Sequence, residues 1–223
     1  MNAKLFFQAI LKFLLGVILV GLLVFLPAGT IKFFNGWLLM AVLFVPMLIA
    51  GIVMMFKNPD LLKKRLNAKE KRKEQDMVVK SSGLMFIAAF VVAGFTHRYG
   101  WLTLSTEMVI IGIVAFLFAY TLYAEVLREN TFLSRTIEVQ ENQTVVDTGL
   151  YGIVRHPMYA ATVILFLSIP IILGSVFSFA IMLIYPFIIA KRIKNEEELL
   201  KKELKGYKEY KEKVKYRLIP FVW

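Results

Sequence analysis

The chain has 223 residues, no cysteine, 58% hydrophobic residues and a formal charge of +11. Its mean hydropathy is +0.66, and a soluble domain runs nearer about 45–50% apolar. Disorder, collagen and a disulfide-stapled secreted scaffold are thereby excluded. The absence of cysteine removes thiolate nucleophiles, cysteine-bound zinc and iron–sulfur clusters. Two histidines, His97 and His156, do not make a multi-histidine metal site.

Long apolar runs predict an integral membrane protein, because about 20 apolar residues cross a bilayer core of about 30 Å. A first span is read at Leu5–Leu26, broken only by Gln8 and Lys12, and ends at the turn Pro27-Ala28-Gly29-Thr30. A second covers Phe33–Phe56 and is broken at Asn58-Pro59-Asp60. The polar segment Leu61–Lys80 follows, part helical. A short third span, Gly83–Thr96, can continue to an interfacial Trp101, and a fourth covers Met108–Val126.

The stretch from Arg128 to His156 is polar, with two β-like pieces, Thr136–Val139 and Thr144–Val146, that suggest a small hairpin. A helix starts at Pro157 and runs to Leu173. Gly174-Ser175 turns the chain, and Val176–Ala190 returns. At 1.5 Å per residue these two segments are about 22–26 Å long and fit a tight helix hairpin. The fold class is all-α, a polytopic membrane helical bundle of about five to six transmembrane segments with a C-terminal helix hairpin and a cavity on the cytosolic side. Residues 1–129 read as a membrane anchor of four helices with a basic loop at 57–80. Residues 130–223 read as a C-terminal core containing the hairpin 157–190 and an amphipathic helix beyond it.

The charge is not spread evenly. Lys57–Lys80 holds nine Lys/Arg and Lys191–Arg217 holds eleven. Under the positive-inside rule both clusters face the cytosol, and six crossings then put both chain termini there as well. Such clusters attract anionic lipid by about 1 kcal/mol per residue. Aromatic residues do not interleave with them as a nucleic-acid stacking surface requires, so no nucleic-acid partner is expected. The sequon Asn142-Gln143-Thr144 falls on the cytosolic side and is read as chance. Compact size and the lack of a targeting pattern point to a prokaryotic cell membrane. The oligomeric state is not legible.

The chemistry-bearing residues gather after Asn130. On a helix continued past Ala190, with Ile193 at 0°, the residues Leu200, Leu204, Tyr207, Lys211 and Val214 form one stripe. Glu196 and Glu197 flank that stripe, whereas Glu198 falls on the wet face. Arg155 and His156 precede the first turn of a membrane helix that begins at Pro157, a place suited to an anion. Gly149 allows a left-handed turn or a close ligand approach. Tyr207 and Tyr210 lie one turn apart, and Arg217 about three turns on. Each feature alone has an ordinary reading: a solvated charge, a flanking cation, a turn, a snorkelling side chain.

In combination they are specific. The run Val145–Tyr159, containing Gly149, Tyr151, Val154, Arg155, His156, Pro157 and Tyr159, precedes an apolar hairpin. Arg192–Leu200, then Tyr207, Tyr210 and Arg217–Pro220, follow it. The chain resembles, over Asn130–Pro220, the isoprenylcysteine carboxyl methyltransferase family and its relatives, which include membrane phospholipid methyltransferases. The resemblance implies S-adenosyl-L-methionine as methyl donor, bound in a cytosolic cofactor pocket, with no metal and no soluble Rossmann domain. It places Gly149, Tyr151, Val154, Arg155, His156, Pro157 and Tyr159 at the cofactor, with Glu196 or Glu197 holding it or organising the site. Tyr207, Tyr210 and Arg217 would close that site. One departure is Ala161, where the family often has glycine.

The implied reaction is methyl transfer from a sulfonium to a lipid-like or prenylated acceptor at the bilayer surface. A carboxylate acceptor needs positioning, to which Arg155 or Arg217 is suited. An amine needs a base, for which Glu196 and Glu197 are the candidates. The catalytic set is therefore Glu197, Arg217 and Glu196. Other readings are a phospholipid or small-molecule methyltransferase, a sterol-reductase-like oxidoreductase and a non-enzymatic membrane scaffold.

Overall fold

The fold is taken from a computed structural model, which describes residues 3–66, 73–133 and 138–223. The described residues form helices and connecting turns, with no β-strand. The helices are α1 (Ala3–Ala28), α2 (Phe34–Lys57), α3 (Pro59–Leu66), α4 (Lys73–Tyr99) and α5 (Thr106–Glu129). A 3-10 turn at Gly149–Gly152 leads to α6 (Pro157–Ile172), α7 (Val176–Met182), α8 (Tyr185–Glu203) and α9 (Tyr207–Lys213).

Among the described residues, five helical segments are long and apolar enough to cross a membrane: α1, α2, α4 from Met77, α5, and α7 with α8. The shorter α6 runs beside them. Large apolar side chains point outward, as lipid-facing helices require. Leu11, Leu15, Ile18 and Leu22 of α1 are all about half exposed, and their i, i+4, i+7, i+11 spacing makes one outward stripe. In water such a face would be a liability. Against hydrocarbon it has no cost, because every backbone group inside the helix is already paired. The central core draws Val24, Leu39, Phe90, Phe116, Leu165 and Ile172 from α1, α2, α4, α5 and α6, so residues on both sides of position 130 share it. Met85, Tyr159, Met182, Tyr185 and Ile193 form a second cluster nearer the charged end.

The bundle has two distinct ends. At one, the α1–α2 turn, the α4–α5 loop and the α6–α7 turn meet. Leu104 N–H donates to Gly174 at 3.0 Å, Thr103 bridges to Ser175, and Thr96 Oγ1 lies 2.7 Å from Ser175 Oγ. Tyr99 and Trp101 stack there, with Phe177 edge-on to Trp101, an arrangement typical of a membrane interface. The other end carries α3, the end of α5, the start of α6 and all of α9.

Several sequence expectations are corrected. Helix α4 starts ten residues before Gly83, because Lys73–Lys80 contains good helix formers and no breaker; hydropathy registers only its membrane part. The return segment after Ser175 is two helices. Pro186 has no N–H for the Met182 carbonyl, so the chain turns at Leu183-Ile184 before α8 begins. The helix past Ala190 is not continuous to Val214 either. It stops at Leu204, and Gly206, at φ +85°, redirects the chain into α9. In the expected hairpin, Thr136 and Ile137 lie outside the described residues. Thr144–Val146 is unpaired and non-helical, although a turn closes from Gln143 N–H to Gln140 at 3.1 Å.

Candidate functional site

The site is assembled where the 3-10 turn, the start of α6, the end of α8, and α9 converge. Gly149 has φ +51°, and a Cβ on it would lie 1.5 Å from Glu129 Oε1. Only glycine fits there. The Glu129 carboxylate, at the last residue of α5, accepts from the Leu150 N–H at 3.1 Å. Next along the chain, Asn130 donates to the Tyr151 hydroxyl at 3.0 Å. Tyr210 donates from its hydroxyl to the Tyr151 carbonyl at 2.7 Å. The end of a membrane helix and α9 thus clamp the turn from two sides.

From there the chain runs alongside the segment after α9. The N–H groups of Arg155 and His156 donate to the Tyr216 and Arg217 carbonyls, each at 2.9 Å. Arg217 consequently reaches the site from an extended segment rather than from a helix face, which corrects the three-turn spacing read from the sequence. Pro157 opens α6 at a position where a missing N–H costs nothing. His156 caps that helix through its backbone carbonyl, and its side chain makes no cap bond.

Glu197 is 1% exposed. Arg155 Nε donates to it at 2.8 Å and Arg217 Nε at 3.1 Å, and His156 Nε2 stands 3.4 Å away. Arg155 also donates to the Val214 and Lys215 carbonyls at 2.6 and 2.7 Å. One carboxylate therefore ties α8, the α6 entrance and the segment after α9 together. Charge-assisted bonds of this kind are strong when every partner is present. The neighbouring Glu196 is partly exposed and accepts from the Tyr159 hydroxyl at 2.6 Å, while Arg192 Nε donates to that same oxygen at 2.9 Å. Glu198 is exposed. The three adjacent glutamates thus have three environments; the helix phase predicts that Glu198 is the outward one, and the fold separates Glu197 from Glu196.

A cavity lies beside these groups. Tyr151, Arg155, His156, Tyr159, Glu196, Tyr207 and Tyr210 line it, and Met158, Leu199, Leu200 and Leu204 give it an apolar side. Gly149, Val154, Pro157, Glu197 and Arg217 are not on its wall; they stand behind it and shape it. Arg192, Asn130 and Phe132 line it too; Arg192 opens the run Arg192–Leu200, but none of the three was named as a site residue from the sequence. Arg192 was recoverable, since it lies four residues before Glu196 and shares its helix face. Asn130 and Phe132 had no signal, because only the tertiary path brings the end of α5 here.

Two buried polar atoms at this cavity have no hydrogen-bond partner: His156 Nε2 and the Tyr207 hydroxyl. Buried polar groups are nearly always paired, so such orphans mark a place for a ligand. Burial, and then the negative charges of Glu197 and Glu196, push the Tyr207 phenol well above its ordinary pKa. Burial does the same for Tyr151 and Tyr210. All three remain neutral hydroxyls at physiological pH. Among the described residues, no group of three or more His, Asp or Glu is placed to hold a metal.

Phenol faces, a partly exposed carboxylate, unpaired donors and an apolar side fit a cationic, partly aromatic molecule such as S-adenosylmethionine. They match its sulfonium, its amino-acid charges and its ring. Residues 102–206 match the family model of phospholipid methyltransferases, which supports a membrane methyltransferase that acts on lipid-like substrates. The matched stretch, just under half of the chain, starts before α5 and ends at Gly206. It thus takes in the 3-10 turn, α6 and α8, and stops before Tyr207, Tyr210 and Arg217. No curated protein matches the chain.

Proposed function

We propose that the protein is an integral membrane methyltransferase that uses S-adenosylmethionine to methylate a lipid-borne acceptor. The carboxylate of a prenylated cysteine is the acceptor that the motifs suggest. The basic end of the bundle then faces the cytosol, with both ends of the chain on that side. The observation that carries the reading is the pair of buried polar side chains without a side-chain hydrogen bond at His156 Nε2 and the Tyr207 hydroxyl, both lining one cavity whose wall is drawn largely from the segment that matches the methyltransferase family model.

Bound S-adenosylmethionine would supply an electrophilic methyl group on a sulfonium sulfur. Glu196 and the phenols of Tyr151, Tyr207 and Tyr210 would favour that positive charge and orient its carrier. Glu197 would act from behind the wall, because it fixes Arg155, Arg217 and His156 in place. For a carboxylate acceptor the residues need only position and exclude water. A phospholipid amine is the second reading, favoured by the family match. For it, Glu196, which accepts from the Tyr159 hydroxyl, would take the proton.

The test is calorimetric binding of S-adenosylhomocysteine to the purified chain in nanodiscs, followed by transfer of a labelled methyl group. Micromolar binding that His156→Ala weakens is expected. Label in a farnesylated cysteine supports the first acceptor, and label in phosphatidylethanolamine supports the second. Absence of binding by well-folded protein overturns the reading.

A further inference from the structure

Residues 1–101 lie outside the methyltransferase family match, yet one of their helices packs beside the cavity wall. Helix α3 buries Leu61 and Leu62 against the bundle, which turns Lys64 and Arg65 toward the end of α5. The Lys64 ammonium is 3.3 Å from the Thr131 carbonyl and 5.8 Å from the centre of the Phe132 ring. Phe132 lines the cavity. Arg65 donates to the Tyr123 hydroxyl and stacks 5.4 Å above that ring. It is also close enough to Tyr151, a wall residue, for its charge to oppose in part the burial that holds that phenol's pKa up. Lys12 fastens the end of α3 by donating to the Leu66 carbonyl at 2.6 Å.

Among the described residues, no carboxylate lies within 4 Å of the Lys64 ammonium. Its long contact with one carbonyl leaves N–H donors for a ligand. Lys63, the neighbouring residue on α3, is exposed. The two lysines are adjacent on α3, and Lys64 is the one turned toward Phe132 of the cavity wall.

We propose that Lys64, backed by Arg65, holds an anionic oxygen group of the lipid acceptor at the mouth of the cavity. The group is a phosphodiester or a carboxylate. The acceptor then carries an anionic oxygen group beside its apolar tail, and α3 selects it. The inference rests on the methyltransferase reading for the word acceptor, and on α3 alone for the anion.

The experiment uses the full chain in detergent and native mass spectrometry. The probes are dioleoyl phosphatidylglycerol, N-acetyl-S-farnesylcysteine and uncharged dioleoylglycerol, each at equal concentration. At least one of the two anionic probes should be retained over dioleoylglycerol, and which one is held better tells phosphate from carboxylate. Lys64→Gln should lower that retention about fivefold, Lys64→Arg should restore it, and Lys63→Gln should leave it within a factor of two. Equal losses in Lys63→Gln and Lys64→Gln would show only diffuse attraction and overturn the site. So would equal retention of dioleoylglycerol, or no loss in Lys64→Gln. S-adenosylhomocysteine affinity, measured on the same samples, should not change in Lys64→Gln. It reports folding, and its absence in the unmutated chain would sink the methyltransferase reading without touching the lipid result.

Discussion

The two ends of the bundle solve the same problem in opposite ways. At the end built from Thr96, Thr103, Gly174 and Ser175, the turns are short and the buried hydrogen bonds are between uncharged groups, while the nearby cation Arg98 lies over the exposed Tyr99 ring. Thr96 pairs with Ser175, and Ser178 donates to the Ala89 carbonyl at 2.8 Å. The other end buries a carboxylate beneath two guanidinium groups and leaves His156 Nε2 and the Tyr207 hydroxyl unpaired. An end that only closes a bundle satisfies its polar groups locally and cheaply. An end that carries ionic clusters and orphaned donors is maintained for something besides stability.

Mutations sharpen that contrast. The largest effect is expected at Glu197. Glu197→Gln leaves Arg155 buried without its counter-charge and should cost about 3–5 kcal/mol, read as a fall in thermal midpoint together with loss of donor binding. Thr96→Val at the opposite end should cost about 1 kcal/mol and leave donor binding intact. Equal losses at the two ends would erase the distinction between them.

Gly149→Ala is expected to come next. The left-handed backbone costs about 1–2 kcal/mol for a residue with a Cβ, and the added carbon would strike the Glu129 carboxylate. Trimming that partner as well, in Gly149→Ala with Glu129→Ala, should recover part of the loss if the collision is its cause. Tyr159→Phe should cost about 1 kcal/mol in stability. Because it cuts the link between Glu196 and Arg192, it should lower transfer far more than it lowers the melting temperature.

A pH experiment separates the ends without mutation. Burial raises the phenols of Tyr151, Tyr207 and Tyr210 in the folded chain, whereas the unfolded chain loses those protons near about pH 10. The folded state then binds more protons than the unfolded one. Stability should therefore be flat at neutral pH and fall as pH rises through about 10. Replacing Tyr207 with Phe should flatten that fall. The smallest effect belongs to Glu198→Gln, on the exposed side of α8, which should stay within about 0.5 kcal/mol and leave transfer unchanged.

Much of this was readable in the sequence because it depends on local periodicity and transfer free energy. Apolar runs long enough to span a bilayer set the helix count. Proline at 157 and the turn at Gly174-Ser175 set the ends of α6. The 100° step set Glu196 and Glu197 beside the apolar stripe and Glu198 outward, and the fold decided that Glu197 is the buried one. What failed was continuity. The proline at 186 and the left-handed glycine at 206 broke helices that a uniform step carried through, and Arg217 arrived from an extended segment. Tertiary structure alone decided which distant groups meet. Glu129 sits where a Cβ on Gly149 would be, Arg155 shares Glu197 with Arg217, and Lys64 of α3 lies beside Phe132. None of these pairings has a period or a fixed spacing, because each is set by the path of the chain between elements. The sequence determined the membrane helices and the phase of their faces, since burial acts on each residue where it stands. The site needed the fold, since its charges are held only by partners that the chain brings back from twenty to sixty-eight residues away.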